Sequence, residues 1–167
     1  MNQSNLPRVL FFFLSGLLFV TILIYHQYLP ATVASHFNFK GEADSFMNKN
    51  TYTIVSLAFA VFMTLLFPLI IFIIKKAPAK SINLPNKEYW LAEERKDETL
   101  KTLGNYLYLL GSLVLMLFVF IFYHVYRINL FGEVKIAHNF WIYLVIFLPT
   151  TFYLVAKMIL HFYKKKI

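Results

Sequence analysis

Apolar and polar positions follow one another along this chain in long blocks, not at a strand or surface-helix period. Four stretches, 9–39, 50–74, 102–126 and 136–156, carry no charged residue. Each supplies the roughly 20 predominantly apolar residues that a membrane-spanning helix needs. A spanning segment must satisfy its own backbone hydrogen bonds. The pattern therefore predicts an all-α membrane protein with four transmembrane helices, near 9–28, 51–74, 103–126 and 139–160. The first apolar run exceeds the roughly 7–15 residues of a signal-peptide core, so it is expected to stay as a helix. It stops at Leu29-Pro30, because the residue before proline is turned away from helical geometry. Pro68 and Pro149 fall inside the second and fourth spans, where neighbouring groups can satisfy the freed carbonyls.

Two polar segments interrupt these blocks. One, around residues 29–50, is expected to form a structured outer loop, with Asn50 capping the second helix. The other begins basic and extended, with Pro78 and Pro85 as punctuation. Asn86 can then cap an amphipathic helix with Glu88 in its first turn. Glu93–Lys96, Asp97–Lys101 and Glu98–Lys101 have the spacing to pair along that helix. Tyr89-Trp90-Leu91 would anchor it at the membrane surface, making it an interfacial cytoplasmic helix. The chain thus divides into a two-span unit with its outer loop (1–74), a cytoplasmic loop (75–102) and a second two-span unit with a basic tail (103–167).

Composition agrees: 59% of residues are apolar and 14% charged, against about 25% charged in soluble domains. The net charge of +8 would suggest nucleic acid if it lay on one face, but it marks membrane edges instead. Twelve basic residues flank the ends that share the 75–102 loop, and only Lys40, Lys49, Arg127 and Lys135 flank the other ends. The positive-inside rule places both termini and that loop in the cytoplasm. The absence of cysteine excludes disulfides and thiol chemistry. No acidic residue lies inside a span, which argues against a proton-coupled pump.

Candidate chemistry concentrates in the outer loop. His36, Asn38, Glu42 and Asp44 can accept protons, donate hydrogen bonds or ligate a cation, and Gly41 permits a turn that folds the carboxylates back toward His36. In an extended segment, Phe37 and Phe39 would lie opposite His36, Asn38 and Lys40. These groups can serve a self-contained turn, a ligand-binding lip, or a metal or acid–base site. No tight metal signature such as H-E-x-x-H is present, so a metal is left undetermined and no cofactor is expected. His26 and His124 could join His36 in an outer cluster; packing beside the tyrosines at the membrane boundary is the plainer role for them. His138 and His161 have no evident partner in the sequence.

The run Tyr28-Leu29-Pro30, Val33, His36-Phe37-Asn38, Gly41-Glu42 and Asp44 resembles the signature of the domain-of-unknown-function 1648 family, over residues 9–74. Leu84-Pro85-Asn86-Lys87-Glu88-Tyr89-Trp90-Leu91 resembles a stretch found in some members. Ala43 stands where many members have proline, and Ser45-Phe46 where Gly-Trp is common. The domain is similar to part of bacterial immunity proteins that protect producers of a sporulation-delaying toxin and also signal by sequestering a repressor. The resemblance implies a non-enzymatic protein of the bacterial cytoplasmic membrane, acting in toxin-peptide immunity or signal sensing. On that reading His36, Asn38, Gly41, Glu42 and Asp44 bind an extracellular peptide ligand, Tyr89 and Trp90 meet a cytoplasmic regulator, and the remaining partner is membrane lipid. A metal-dependent membrane enzyme and a structural subunit of a transporter remain as alternatives.

Overall fold

The computed structural model describes residues 5–132 and 139–164. Helix α1 (Leu6–His26) leads into strands β1 (Thr32–Phe37) and β2 (Ala43–Asn48); α2 (Lys49–Lys76), a 3-10 turn (Ala79–Ser81) and the short α3 (Lys87–Trp90) follow. Two long helices, α4 (Lys96–Phe131) and α5 (Asn139–Tyr163), complete the order. Four of the helices are long and apolar enough to cross a membrane, so the chain is a mainly α, multi-pass membrane protein. His138, in the short loop before the last span, lies outside the described residues.

The largest departure from the expected all-α pattern is the antiparallel β-hairpin between α1 and α2. Its sequence signal is two short runs around Asn38-Phe39-Lys40-Gly41, a glycine-containing turn of the length that closes hairpins. Asn48, in extended geometry, ends β2 and accepts the Asn50 N–H at 2.8 Å. The helix cap is therefore Asn48, two residues before the expected Asn50, because the strand runs directly into the helix.

The second departure is at the polar loop. Asn86 adopts left-handed geometry (φ 50°) at the N-cap of the short α3, and its side chain makes no capping hydrogen bond there. Only four residues, Lys87–Trp90, form a helix there; the charged stretch from Lys96 onward is the start of α4. Asp97 and Glu98 lie in the first turn of α4, where the positive end of the helix dipole favours carboxylates. The expected pairs with Lys96 and Lys101 do not close into ion pairs among the described residues.

At 36 residues, α4 is about 54 Å long, well beyond the ~30 Å hydrocarbon thickness. It overhangs both ends of the bundle, stopping at Gly132 in left-handed geometry (φ 66°). Its contacts join three successive cores. Ile82, Leu84, Trp90, Leu91, Leu100, Leu103 and Phe162 form one at the loop end. Phe11, Leu18, Ile22, Ala60, Met63 and Leu115 fill the middle between α1, α2 and α4. Leu29, Val33, Tyr52, Val125 and Tyr126 form the seat of the hairpin. α5 packs chiefly on α4 and leaves much of its apolar surface facing outward, as a lipid-facing helix does.

In the middle core, Gly111 of α4 lets three helices approach closely: an added Cβ would sit 2.7 Å from Phe11 Cε2 and 2.8 Å from Phe67 Cγ. Gly16, by contrast, has nothing within 4 Å of such a Cβ. Gly111→Ala is therefore expected to lower stability by about 1–3 kcal/mol through overpacking. Gly16→Ala should leave stability unchanged or raise it, since alanine is the better helix former. Unfolding of the two variants in detergent micelles separates these outcomes; equal tolerance at both positions would refute the close approach at Gly111.

Candidate functional site

The hairpin is irregular in a way that bears on its chemistry. Ala34 pairs with Phe46, His36 with Ser45 and Phe37 with Ala43, so Ser35 is an extra residue in β1 and Asp44 an extra residue in β2. Bulges bend strands and re-aim side chains. Here they bring His36 Nδ1 to 2.5 Å from Asp44 Oδ1, with the two side chains 70% and 42% exposed. The expected approach of a carboxylate to His36 is thus made by Asp44.

Glu42 and Asn38 are engaged in the turn. The Asn38 side-chain oxygen accepts the N–H of Lys40 at 2.8 Å and of Glu42 at 3.1 Å. Its amide donates to Glu42 Oε2 at 3.4 Å, while the backbone carbonyl accepts from Gly41 at 2.8 Å. Gly41 is buried with φ 78°, a conformation that disfavours any residue with a Cβ. Of the five sequence-selected residues, Asn38, Gly41 and Glu42 build the turn, whereas His36 and Asp44 present polar atoms to the surroundings.

Phe37 is half-buried toward the hairpin seat, opposite the exposed His36, as alternation requires. Phe39 departs from the alternation: it occupies the turn tip and is fully exposed. Phe46 on β2 is also largely exposed. The hairpin that carries the His36–Asp44 pair therefore also carries two uncovered aromatic rings.

The hairpin is fastened by a residue that sequence reasoning passed over. Asn129, on the overhang of α4, accepts the Ala34 N–H at 2.7 Å and donates to the Ala34 carbonyl at 3.1 Å. One side-chain amide thus completes both hydrogen bonds of a buried strand residue. Asn129 also donates to the Val125 carbonyl one turn back, at 2.8 Å. Nothing in the spacing of a single asparagine beyond an apolar span points to a partner 95 positions away. Beneath β1, Tyr126 is buried, stacks on Tyr25 at 4.6 Å and meets Tyr52 edge-on.

The histidines do not converge. His26 Nδ1 bonds Thr53 Oγ1 at 2.8 Å, tying the end of α1 to the start of α2. His124 is buried against Phe120 and Tyr123. Among the described residues, no group of three His, Cys, Asp or Glu side chains is placed to hold a metal ion.

At the other end of the bundle, Trp90 is buried, so its expected role as a membrane-surface anchor is replaced by an internal one. Its indole N–H donates to the Phe162 carbonyl at 2.8 Å and its ring stacks on His161. The Asn86 amide donates to the Tyr163 carbonyl at 2.9 Å. Together they satisfy carbonyls at the end of α5 that have no helical partner. Thr99 Oγ1 donates to the Trp90 carbonyl, locking the loop onto α4. Tyr89 stays half-buried, with the Arg95 guanidinium 4.2 Å from its ring centre.

Residues 13–72 match a family model described as domain of unknown function (DUF1648). The match takes in most of α1, the whole hairpin and most of α2, and supports the resemblance carried by the loop motif. A search of curated proteins finds no match, and neither does one of solved structures.

Two predictions follow from these fastenings. Asn129→Ala leaves the Ala34 amide and carbonyl unpaired, at a cost of about 1–3 kcal/mol. Hydrogen exchange should then accelerate through both strands while the middle of α1 and α4 stays protected; unchanged exchange in the hairpin would contradict the clamp. Trp90→Phe keeps the apolar bulk but loses the donor, for about 1 kcal/mol. Trp90→Ala empties the cluster and should cost about 3–5 kcal/mol, compared by unfolding in detergent.

Proposed function

We propose that the hairpin is the outward-facing recognition element of a bacterial cytoplasmic-membrane protein. Through it the protein binds an extracellular peptide, in toxin immunity or in signal sensing. The supporting observation is the His36–Asp44 pair, held at 2.5 Å yet left exposed, on a hairpin whose Asn38 and Glu42 side chains are engaged in the turn. A solvent-exposed ion pair adds little to folding stability, so the pair is better explained by what it can meet. The polar pair and the exposed Phe39 and Phe46 on the same hairpin can offer a peptide both a polar anchor and apolar contact. The absence of carboxylates inside the spans argues against a proton-coupled pump.

The reading assigns His36 and Asp44 to ligand contact, Asn38, Gly41 and Glu42 to shaping the turn, and the loop around Tyr89 to a regulator. The regulator would meet the exposed surface of that loop, since Trp90 is taken up internally.

Survival of cells with and without the protein against a panel of membrane-active peptides tests the proposal. The His36→Ala/Asp44→Ala variant should lower protection by about ten-fold or more, the scale of losing a charge-assisted contact, with unchanged amounts of protein in the membrane. Full protection by that variant would overturn the site assignment. No protection by the natural sequence against any peptide would overturn the immunity reading.

A further inference from the structure

A second candidate site lies at the opposite end of the bundle from the hairpin. The first turn of α1, the last turns of α2 and the first turns of α4 surround a cavity of about 430 Å³. Arg8, Lys75 and Lys101 line it, with Asp97 as its one carboxylate. Among the described residues none of these cations is held in an ion pair, although Lys101 has Asp97 one helical turn away. Three cations against one carboxylate leave the local charge positive.

The depth of the lining residues follows from helix direction. α2 runs toward this end, so Ile71 lies about 6 Å deeper in the bundle than Lys75. α4 runs away from it, so Gly104 and Tyr108 lie deeper than Lys101. Gly104 faces Ile71 across the floor, where an added Cβ would meet the Ile71 side chain at 3.5 Å, an ordinary contact. The cavity thus has a cationic rim, with the buried Leu100 level with it, and a deeper part formed by the buried Ile71 and Gly104 with Tyr108 and the polar Asn105.

We propose that this cavity binds the phosphate of an anionic phospholipid, with Arg8, Lys75 and Lys101 on the phosphate and the start of an acyl chain against the floor. Basic pockets between spanning helices recognise lipid headgroups in this way. Arginine supplies a forked donor for phosphate oxygens and the lysines supply point charge. A free phosphate would use the cations alone, whereas Ile71, Leu100 and the Tyr108 ring add apolar contact that only a lipid can use, which favours the lipid as occupant.

The test uses the full chain purified in detergent, with bound lipid counted by native mass spectrometry. The probes are phosphatidylglycerol, zwitterionic phosphatidylcholine and inorganic phosphate. R8Q/K75Q/K101Q is compared with K76Q/K80Q/K87Q, which removes the same charge from the same end outside the cavity. With each cation near the surface contributing about five-fold, the cavity variant should lose about a hundred-fold in phosphatidylglycerol affinity. The control should lose much less, and phosphatidylcholine should bind weakly to all. D97N, which removes the opposing carboxylate, should tighten phosphatidylglycerol binding about five-fold, and this result stands if the triple variant fails to fold. Equal losses in the cavity and control variants, or equal binding of phosphatidylcholine, would overturn the proposal. Inorganic phosphate that competes as well as the lipid would overturn the assignment to lipid.

Discussion

Backbone polar groups at the edge of a membrane must find partners within the chain, and the architecture turns on how that requirement is met. Inside the bilayer each helix satisfies itself, but strand edges and helix ends do not. Here long-range side chains close them. Asn129 completes Ala34 at one end of the bundle. Asn86 and Trp90 complete the last carbonyls of α5 at the other. In each case a polar side chain from one segment fixes the position of another far away in sequence. Connections that would otherwise be loose loops become fixed parts of the bundle.

Both fastenings rely on the length of α4. A helix only long enough to span would end near Tyr126 and could not present Asn129 to β1. A helix starting at Leu103 would lack Thr99, whose hydroxyl holds the Trp90 carbonyl. The overhangs are polar enough to leave the apolar layer, with Asp97 and Glu98 at one end and Arg127 and Asn129 at the other. α4 thus serves as a post from which a hairpin is hung at one end and a capping loop at the other.

The hairpin separates rigidity from display. Asn38, Gly41 and Glu42 set the turn, and Val33, Phe37 and Met47 seat the sheet on tyrosines. His36, Asp44, Phe39 and Phe46 are left uncovered. A surface preorganised in this way loses little conformational freedom on meeting a partner, which favours binding. The cavity at the other end has a different composition, with three cations at its rim and Ile71, Gly104, Asn105 and Tyr108 deeper in the bundle.

Much of the membrane architecture was legible in one dimension. Four charge-free blocks dictate four spanning helices, because burying a charge in hydrocarbon is costly and a helix leaves no backbone group unpaired there. The turn at Asn38-Phe39-Lys40-Gly41 was readable too, because Gly41 supplies a left-handed conformation and Asn38 a short local acceptor. What the sequence could not determine was whatever depends on distant partners or on register. The bulges that move Asp44 onto His36 arise from how two strands align on a tyrosine seat. Trp90 reads as a surface anchor from its neighbours alone, and becomes a buried cap only because the end of α5 arrives beside it. Local sequence fixes what a segment can bury or turn; which hydrogen-bond partner meets it is decided by packing across 72 to 95 residues.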